Sequence, residues 1–304
     1  MKTFIILMLL STQTWGRSVV PDRVVTPSLD LFDGGNKTLP NGDIEVKVTT
    51  YSKKGTFIHR GSSTILSKND YDAFVKLASP VFEMIPDESY SGDETYSRRG
   101  TAFSIGENLV LTNHHVLDPN FQNTNSCADF QVKNKEGDTF DCKAVHFCSK
   151  AQDICLIEMS PKVKTKRDCT FCSGTKYEVS LKDGPKLKLR PNYSPASRAE
   201  VITTAIGNSS GFGIHLSQGR GITISNDRLY FYAPITQGNS GGPLLNSDGE
   251  VIGVVKLQSK KTIGTDPNQV YNIAASSDVV IKLIRNALRD NPGTLAKFNS
   301  AVIE

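Results

Sequence analysis

Residues 238–245 read Gly-Asn-Ser-Gly-Gly-Pro-Leu-Leu, and residues 249–255 read Gly-Glu-Val-Ile-Gly-Val-Val. The first stretch is a glycine-flanked serine running into a short apolar strand, and the second is an apolar run of strand length behind a turn glycine. Glycine enters backbone conformations that a side chain would oppose, so Ser240 fits the tip of a tight turn with its hydroxyl exposed. Consecutive backbone N–H groups in such a turn converge where an oxyanion develops, which makes Gly238 and Ser240 the expected main-chain donors. The alternative is a Gly-rich hairpin turn without chemistry. A histidine base elsewhere in the chain decides between the two.

Outward from this stretch the same texture continues. Phe103-Ser104-Ile105, Leu109-Val110-Leu111, Ile154-Cys155-Leu156-Ile157 and Val251–Val255 are short apolar runs separated by Gly- and Asn-bearing turns. Many short strands of this kind predict an all-β barrel or sandwich. The C-terminal part differs: Val279, Val280, Leu283, Ile284, Ala287 and Leu288 recur at helical spacing behind Ser277-Asp278, predicting a helix that ends near Asn291-Pro292-Gly293.

The base is offered by Thr112-Asn113-His114-His115-Val116, where an apolar strand enters a polar turn. A neutral imidazole takes a serine proton near neutral pH and returns it to a leaving amine. Only one histidine of the doublet can do so, because neighbouring side chains in a turn diverge. His59, His146 and His215 lack such a context and read as structural or solvent-facing. Asp153 opens the strand Asp153-Ile154-Cys155-Leu156-Ile157, and a carboxylate at the edge of an apolar strand demands a partner. It is the best-placed group to hold the imidazole in one tautomer, with a turn-capping role, or Asp129 or Asp141 in its stead, as the alternatives.

In this order, T-N-H-H-V, D-I-C-L-I and G-N-S-G-G-P-L resemble the trypsin-like serine proteases, and most nearly those of the HtrA type. Ala205-Ile206-Gly207-Asn208 and Asn272-Ile273-Ala274-Ala275-Ser276 resemble strands of the same branch. The resemblance covers roughly residues 80–290. It implies two perpendicular six-stranded antiparallel β-barrels with a C-terminal helix, and His115, Asp153 and Ser240 as catalytic residues at the interface between the barrels. It resolves the doublet by assigning the base to the histidine directly before Val116. The resemblance further implies a primary substrate pocket lined by Pro234, Ile235 and Thr236 and by Val255, Lys256, Leu257 and Gln258, whose backbone would pair with an extended substrate. No Asp occupies the expected pocket base, where Pro234 stands. A pocket of Pro, Ile and Val favours small or medium apolar side chains before the scissile bond, since an unpaired charge there would be costly to bury. The reaction implied is peptide hydrolysis through an acyl-enzyme, without cofactor or metal. A non-catalytic binding protein on the same fold, or a latent zymogen, is the alternative. An esterase elbow, with Ser before Asp and His on an α/β sheet, does not fit the order.

The chain length of 304 residues suits one large domain or two small barrels. Lys2 and the apolar run Phe4–Leu10, ending at Thr14-Trp15-Gly16, predict a secretory signal over 1–16; the run is too short to span a bilayer. The expected home is extracellular or periplasmic. The net charge of +4 carries no basic run interleaved with aromatics, so nucleic acid is not an implied partner; protein or peptide substrates are. Residues 17–79 read as a loop-rich extension, in part a pro-segment. Within it Asp43–Val48 alternates like a strand, and Asp70–Leu77 has helical spacing behind an Asp or Asn cap. Residues 80–290 are expected to form the protease-like domain and 291–304 a tail, shorter than the peptide-binding PDZ module typical of HtrA-type enzymes, so activation through such a module is not expected. Arg98-Arg99 reads as a charged turn before Gly100, with a processing point as the alternative. Six cysteines in an exported chain suit disulfides. Partners for Cys127, Cys142 and Cys148 are sought among one another, Cys155 reads as a buried thiol or a bridge, and Cys169-Thr170-Phe171-Cys172 as a local disulfide or constrained loop, since no second pair completes a zinc site.

Overall fold

The chain folds as two β units joined along a packed seam, and a computed structural model describes residues 26–51, 57–85, 100–117, 127, 130–166, 175–198, 201–208, 213–225, 227–258 and 272–304. The expected signal segment, Arg98-Arg99, Asp129 and the Cys169/Cys172 pair lie outside these residues. The N-terminal segment forms β1 (Thr26–Asp30), β2 (Lys37–Thr38), β3 (Ile44–Tyr51), β4 (Phe57–Leu66) and helix α1 (Lys68–Ala78). Then come β5 (Val81–Ile85), β6 (Thr101–Gly106), β7 (Leu109–Thr112), the single turn α2 (His114–Leu117), β8 (Gln131–Lys133), β9 (Thr139–Ser149) and β10 (Ile154–Met159). A hairpin of β11 (Lys162–Lys166) and β12 (Thr175–Val179) leads to β13 (Ile202–Asn208), β14 (Ile214–Arg220), β15 (Ile222–Ser225), β16 (Arg228–Phe231), β17 (Pro243–Leu245), β18 (Val251–Gln258) and β19 (Asn272–Ser276). Helices α3 (Ser277–Ala287) and α4 (Pro292–Asn299) close the chain.

Strands β5–β10 close into a six-stranded barrel in the order β10-β7-β6-β5-β8-β9. Its central strands read as unbroken apolar runs because both faces are buried, and alternation along each strand divides the side chains between two cores. Cys155 and Ile157 of β10, Val110 of β7 and Ala102 of β6 fill the barrel with Phe82 and Phe140. Their neighbours Ile154, Leu156, Leu109, Leu111, Phe103 and Ile105 face outward, into a larger core shared with Ile206 and Leu216 of the second unit and with α1, α3 and α4. This shared core fixes one unit against the other.

The all-β fold, the closed six-stranded barrel and the C-terminal helix are as the sequence predicts, and the second unit is a larger sheet. Strands β13–β19 lie in one eleven-stranded sheet that continues through β14 into β1, β3 and β2, with β4 on β3. The stretch from 17 to 79, read as loop-rich, therefore carries four strands among its described residues. Strand β1 pairs directly with β14, Leu29 opposite Leu216 and Asp30 opposite His215. Strand β3 answers to the alternation of Asp43–Val48, whereas β4, which pairs with it over most of its length, carries no comparable apolar pattern. Helix α1 begins earlier than its apolar spacing indicates: the Ser67 side chain accepts from the Asp70 N–H at 3.1 Å, so serine, not Asp or Asn, is the cap.

Residues 291–304 are likewise no tail. Asn291 caps α4 by accepting from the Thr294 N–H, and Pro292 sits at the first helical position, where its missing N–H is harmless. Phe298, Ala301 and Val302 enter the shared core. Cys127 is bonded to Cys142 as expected, but Cys148 finds its partner outside that trio. Cys155 is not a free buried thiol. It lies directly opposite Cys148 in the β10–β9 ladder, with Cα atoms 4.1 Å apart, and the two form a disulfide. Among the described residues no helix is long and apolar enough to cross a membrane.

Candidate active site

The doublet His114-His115 sits on the single turn that follows β7. His114 is buried and packs, while the His115 side chain is one-third exposed. Asp153, the last residue before β10, has φ of 56°. This left-handed conformation, uncommon without glycine, turns its carboxylate back toward the histidine. The main-chain N–H of His115 donates to Asp153 Oδ1 at 3.0 Å, and His115 Nδ1 lies 3.0 Å from Oδ1 and 2.9 Å from Oδ2. A proton on Nδ1 satisfies the carboxylate and leaves Nε2 as the free acceptor. Asn113 supports the pair by donating from Nδ2 to the Asp153 carbonyl at 2.8 Å. Asp141, the other described candidate, is instead bonded to Gln131 at the barrel rim.

Ser240 lies on the turn before β17. Gly238 and Gly241 take φ of 99° and 87°, which glycine alone adopts readily. The Asn239 side chain staples the turn by accepting from the Thr236 N–H at 2.9 Å, while its own N–H donates to the Thr236 carbonyl. The turn is pressed against the first barrel. Thr101 donates its N–H to the Ser240 carbonyl at 2.9 Å and its hydroxyl to the Gly238 carbonyl at 2.7 Å. A Cβ on Gly241 would stand 2.1 Å from the Thr101 carbonyl and 2.5 Å from Thr112 Oγ1. The serine turn thus abuts the end of β7, three residues before His115. Among the described residues, the N–H groups of Gly238 and Ser240 donate to no protein acceptor.

The Ser240 hydroxyl donates to the main-chain carbonyl of Lys256 at 2.7 Å. The Gly241 N–H donates to the Val255 carbonyl and the Val255 N–H to the Gly242 carbonyl, so β18 holds the turn from the other side. Of the expected pocket residues, Ile235 and Val255 have their side chains in the core of the second unit, with Phe231 and Leu244. The Leu257 and Gln258 side chains lie outside the described residues. Pro234 is partly exposed, and its carbonyl accepts from Ser217. Lys256 is buried at 8% exposure. Burial pushes its amine below the ordinary lysine range, against the attraction of Asp153 and with the repulsion of Arg228, while Asp227 pulls it back up. Thr101, Asn113 and Asn239 were not singled out from the sequence; of the three, only Asn113 and Asn239 stand beside motif residues, and Thr101 is separated from its partners by more than a hundred positions.

Of the other histidines, His146 bonds Glu158 at 2.8 Å and His215 faces Asp30 at 3.3 Å in the interior, while the His59 side chain is outside the described residues. Burial alone would raise the Glu158 pKa, but bonds from Lys143 and His146 and the charge of Lys297 outweigh it and hold it below the ordinary range.

Residues 100–254 match the family described as trypsin-like peptidase domain. The serine protease HTRA1 of Xenopus tropicalis is 30% identical over 188 residues, which cover 59% of this chain and 35% of that protein. HTRA1A of Danio rerio is 30% identical over 218 residues, covering 67% of this chain and 40% of the relative. The chain therefore spans little more than a third of the length of these curated relatives. The crystal structure of a serine endoprotease from Yersinia pestis is similar in fold, with a TM-score of 0.51 at 21% identity, covering 72% of this chain and 67% of the other.

Proposed function

The chain belongs to the trypsin-like peptidase domain family, and from that premise we propose that it is a serine endopeptidase with Ser240 as nucleophile, His115 as general base and Asp153 as its orienting carboxylate. The observation that carries this reading is the double contact of Asp153 with the His115 main chain and Nδ1, which leaves Nε2 free to accept a proton. In the first step the Ser240 hydroxyl rotates off the Lys256 carbonyl and passes its proton to Nε2 as Oγ bonds the scissile carbonyl carbon. The oxyanion is received by the free N–H groups of Gly238 and Ser240. Imidazolium then protonates the leaving amine as the C–N bond breaks, and water, activated by the same base, releases the acyl group. No step calls for a metal or a cofactor.

The finer features belong to the same proposal. The substrate is an extended protein segment pairing with β18 beyond Val255, past the last partner that β17 gives it. The protein is exported, in keeping with its disulfides. Residues 26–79 serve as a packed extension of the second sheet, because a removable pro-segment would leave β14 with an exposed edge. A latent form is the second reading, favoured by one observation, the bond of the Ser240 hydroxyl to Lys256. Hydrolysis of unstructured casein by the mature protein, lost in Ser240→Ala and in His115→Ala, tests the assignment. A folded protein inactive on casein and on a panel of apolar peptides would refute the active reading.

A further inference from the structure

Thr101 opens β6 and is wholly buried, yet its polar groups bond residues of three other segments. Its N–H donates to the Ser240 carbonyl at 2.9 Å, and its carbonyl accepts from the Thr112 hydroxyl, at the end of the strand that leads to His115, at 2.7 Å. Its hydroxyl bonds twice, accepting from the Asn208 N–H at 2.8 Å and donating to the Gly238 carbonyl at 2.7 Å. A threonine hydroxyl carries one proton. Since a main-chain N–H can only donate, that proton is committed to Gly238. Strand β13 leaves the space for this bond: a Cβ on Gly207 would stand 2.8 Å from Thr101 Oγ1 and 3.0 Å from the Asn239 Cα.

The two carbonyls that Thr101 grips belong to the peptide planes on either side of the plane that carries the Ser240 N–H. The first of them also meets, at the Gly238 Cα, the plane that carries the Gly238 N–H. Gly238 holds φ of 99°, and glycine leaves such a conformation as readily as it enters it. Its angle is therefore set by what its carbonyl is bonded to. We propose that Thr101 is a positioning residue of the hydrolytic site: its hydroxyl, acting through the Gly238 carbonyl, keeps the serine turn in the conformation that aims the Gly238 and Ser240 N–H groups at the substrate oxyanion. This rests on the endopeptidase reading and makes the first barrel part of the oxyanion site. Without the hydroxyl, the buried Gly238 carbonyl loses its donor and the Asn208 N–H loses this acceptor. A buried carbonyl in that position turns toward another donor, and rotation about Gly238 carries its N–H out of line.

The test compares Thr101→Val, which keeps the shape and the main-chain bonds of the residue and removes the hydroxyl, with Thr101→Ser, which keeps the hydroxyl. On a peptide substrate Thr101→Val should lower kcat about 10- to 100-fold while KM stays within about threefold of wild type. Thr101→Ser should retain at least about a third of wild-type kcat, because its donor is intact. A peptide trifluoromethyl ketone, whose adduct with Ser240 carries an oxyanion, should bind Thr101→Val more weakly by about the factor lost in kcat. A peptide amide of the same sequence, which forms no adduct, should bind both proteins equally. A folded Thr101→Val protein with wild-type kcat and wild-type affinity for the ketone overturns the inference. So does a loss that Thr101→Ser shares in full, or one that weakens the ketone and the amide alike. Should Thr101→Val not fold, Thr101→Ala, which removes the hydroxyl without setting a methyl against the Gly238 carbonyl, is read by the same outcomes. Failure of the endopeptidase reading looks different: the wild type itself neither cleaves peptide nor forms the ketone adduct.

Discussion

Replacing Asp153 by Asn changes one atom at the centre of the site and keeps its shape. The carboxylate receives two donors, the His115 main-chain N–H at 3.0 Å on Oδ1 and the Nδ1–H that lies 2.9 Å from Oδ2. The main-chain N–H is a donor in every protonation state, so it claims the single amide oxygen of the replacement side chain at the Oδ1 position. The NH2 group then stands where Oδ2 was, facing Nδ1. Nδ1 must become the acceptor, and the proton moves to Nε2, the nitrogen that would have taken the Ser240 proton. The imidazolium also loses its counter-charge. In serine hydrolases that depend on this arrangement the loss is about 10⁴-fold in kcat, or ~5.5 kcal/mol of transition-state stabilisation. The assay is steady-state cleavage of a peptide substrate near neutral pH, with the melting temperature recorded alongside to establish that Asp153→Asn is folded. A folded variant that retains more than a tenth of wild-type kcat would refute the reasoning, because the tautomer of His115 would then not depend on Asp153.

Two further predictions concern the frame that holds the site. Gly241→Ala places a Cβ 2.1 Å from the Thr101 carbonyl at a φ of 87°, so strain and overpacking together should cost about 3–5 kcal/mol and lower the melting temperature by ~10 °C; a shift within ~2 °C would contradict the close approach of the serine turn to β6. Removing the Cys127–Cys142 bridge by paired Ser substitutions opens a loop of 15 residues, and urea denaturation should report a loss of about 3 kcal/mol, whereas an unchanged midpoint would mean that the bridge does not restrain the unfolded chain.

The serine turn and the strands around it were legible because their signals are local. Gly238–Leu245 carries the glycines that its backbone angles require, and strands β6, β7 and β10 of the first barrel read as apolar runs because both faces are buried. His115 lay one step further off, since both members of the doublet are equivalent by composition and the assignment came from resemblance. The rest depends on pairing, which one strand cannot announce. The opposition of Cys148 and Cys155 is a matter of register between β9 and β10. Of the strands of residues 26–66 only β3 shows itself by alternation; β1 and β4 are defined by their partners β14 and β3. Pro292-Gly293 reads as a terminator when considered alone, yet Asn291 and Pro292 together start α4. The register shift of β18 against β19 at Lys256, the residue whose carbonyl accepts from the Ser240 hydroxyl, is likewise a matter of pairing.

The central claim is that Ser240 is a nucleophile activated through His115. Its most direct measurement is the mass of the mature protein after reaction with a fluorophosphonate probe, with peptide mapping of the adduct, beside His115→Ala and Ser240→Ala. One adduct confined to Ser240, formed at a rate that falls at least about a hundredfold in His115→Ala, is the predicted result. A folded wild-type protein that stays unmodified, or that reacts equally well without His115, would contradict it.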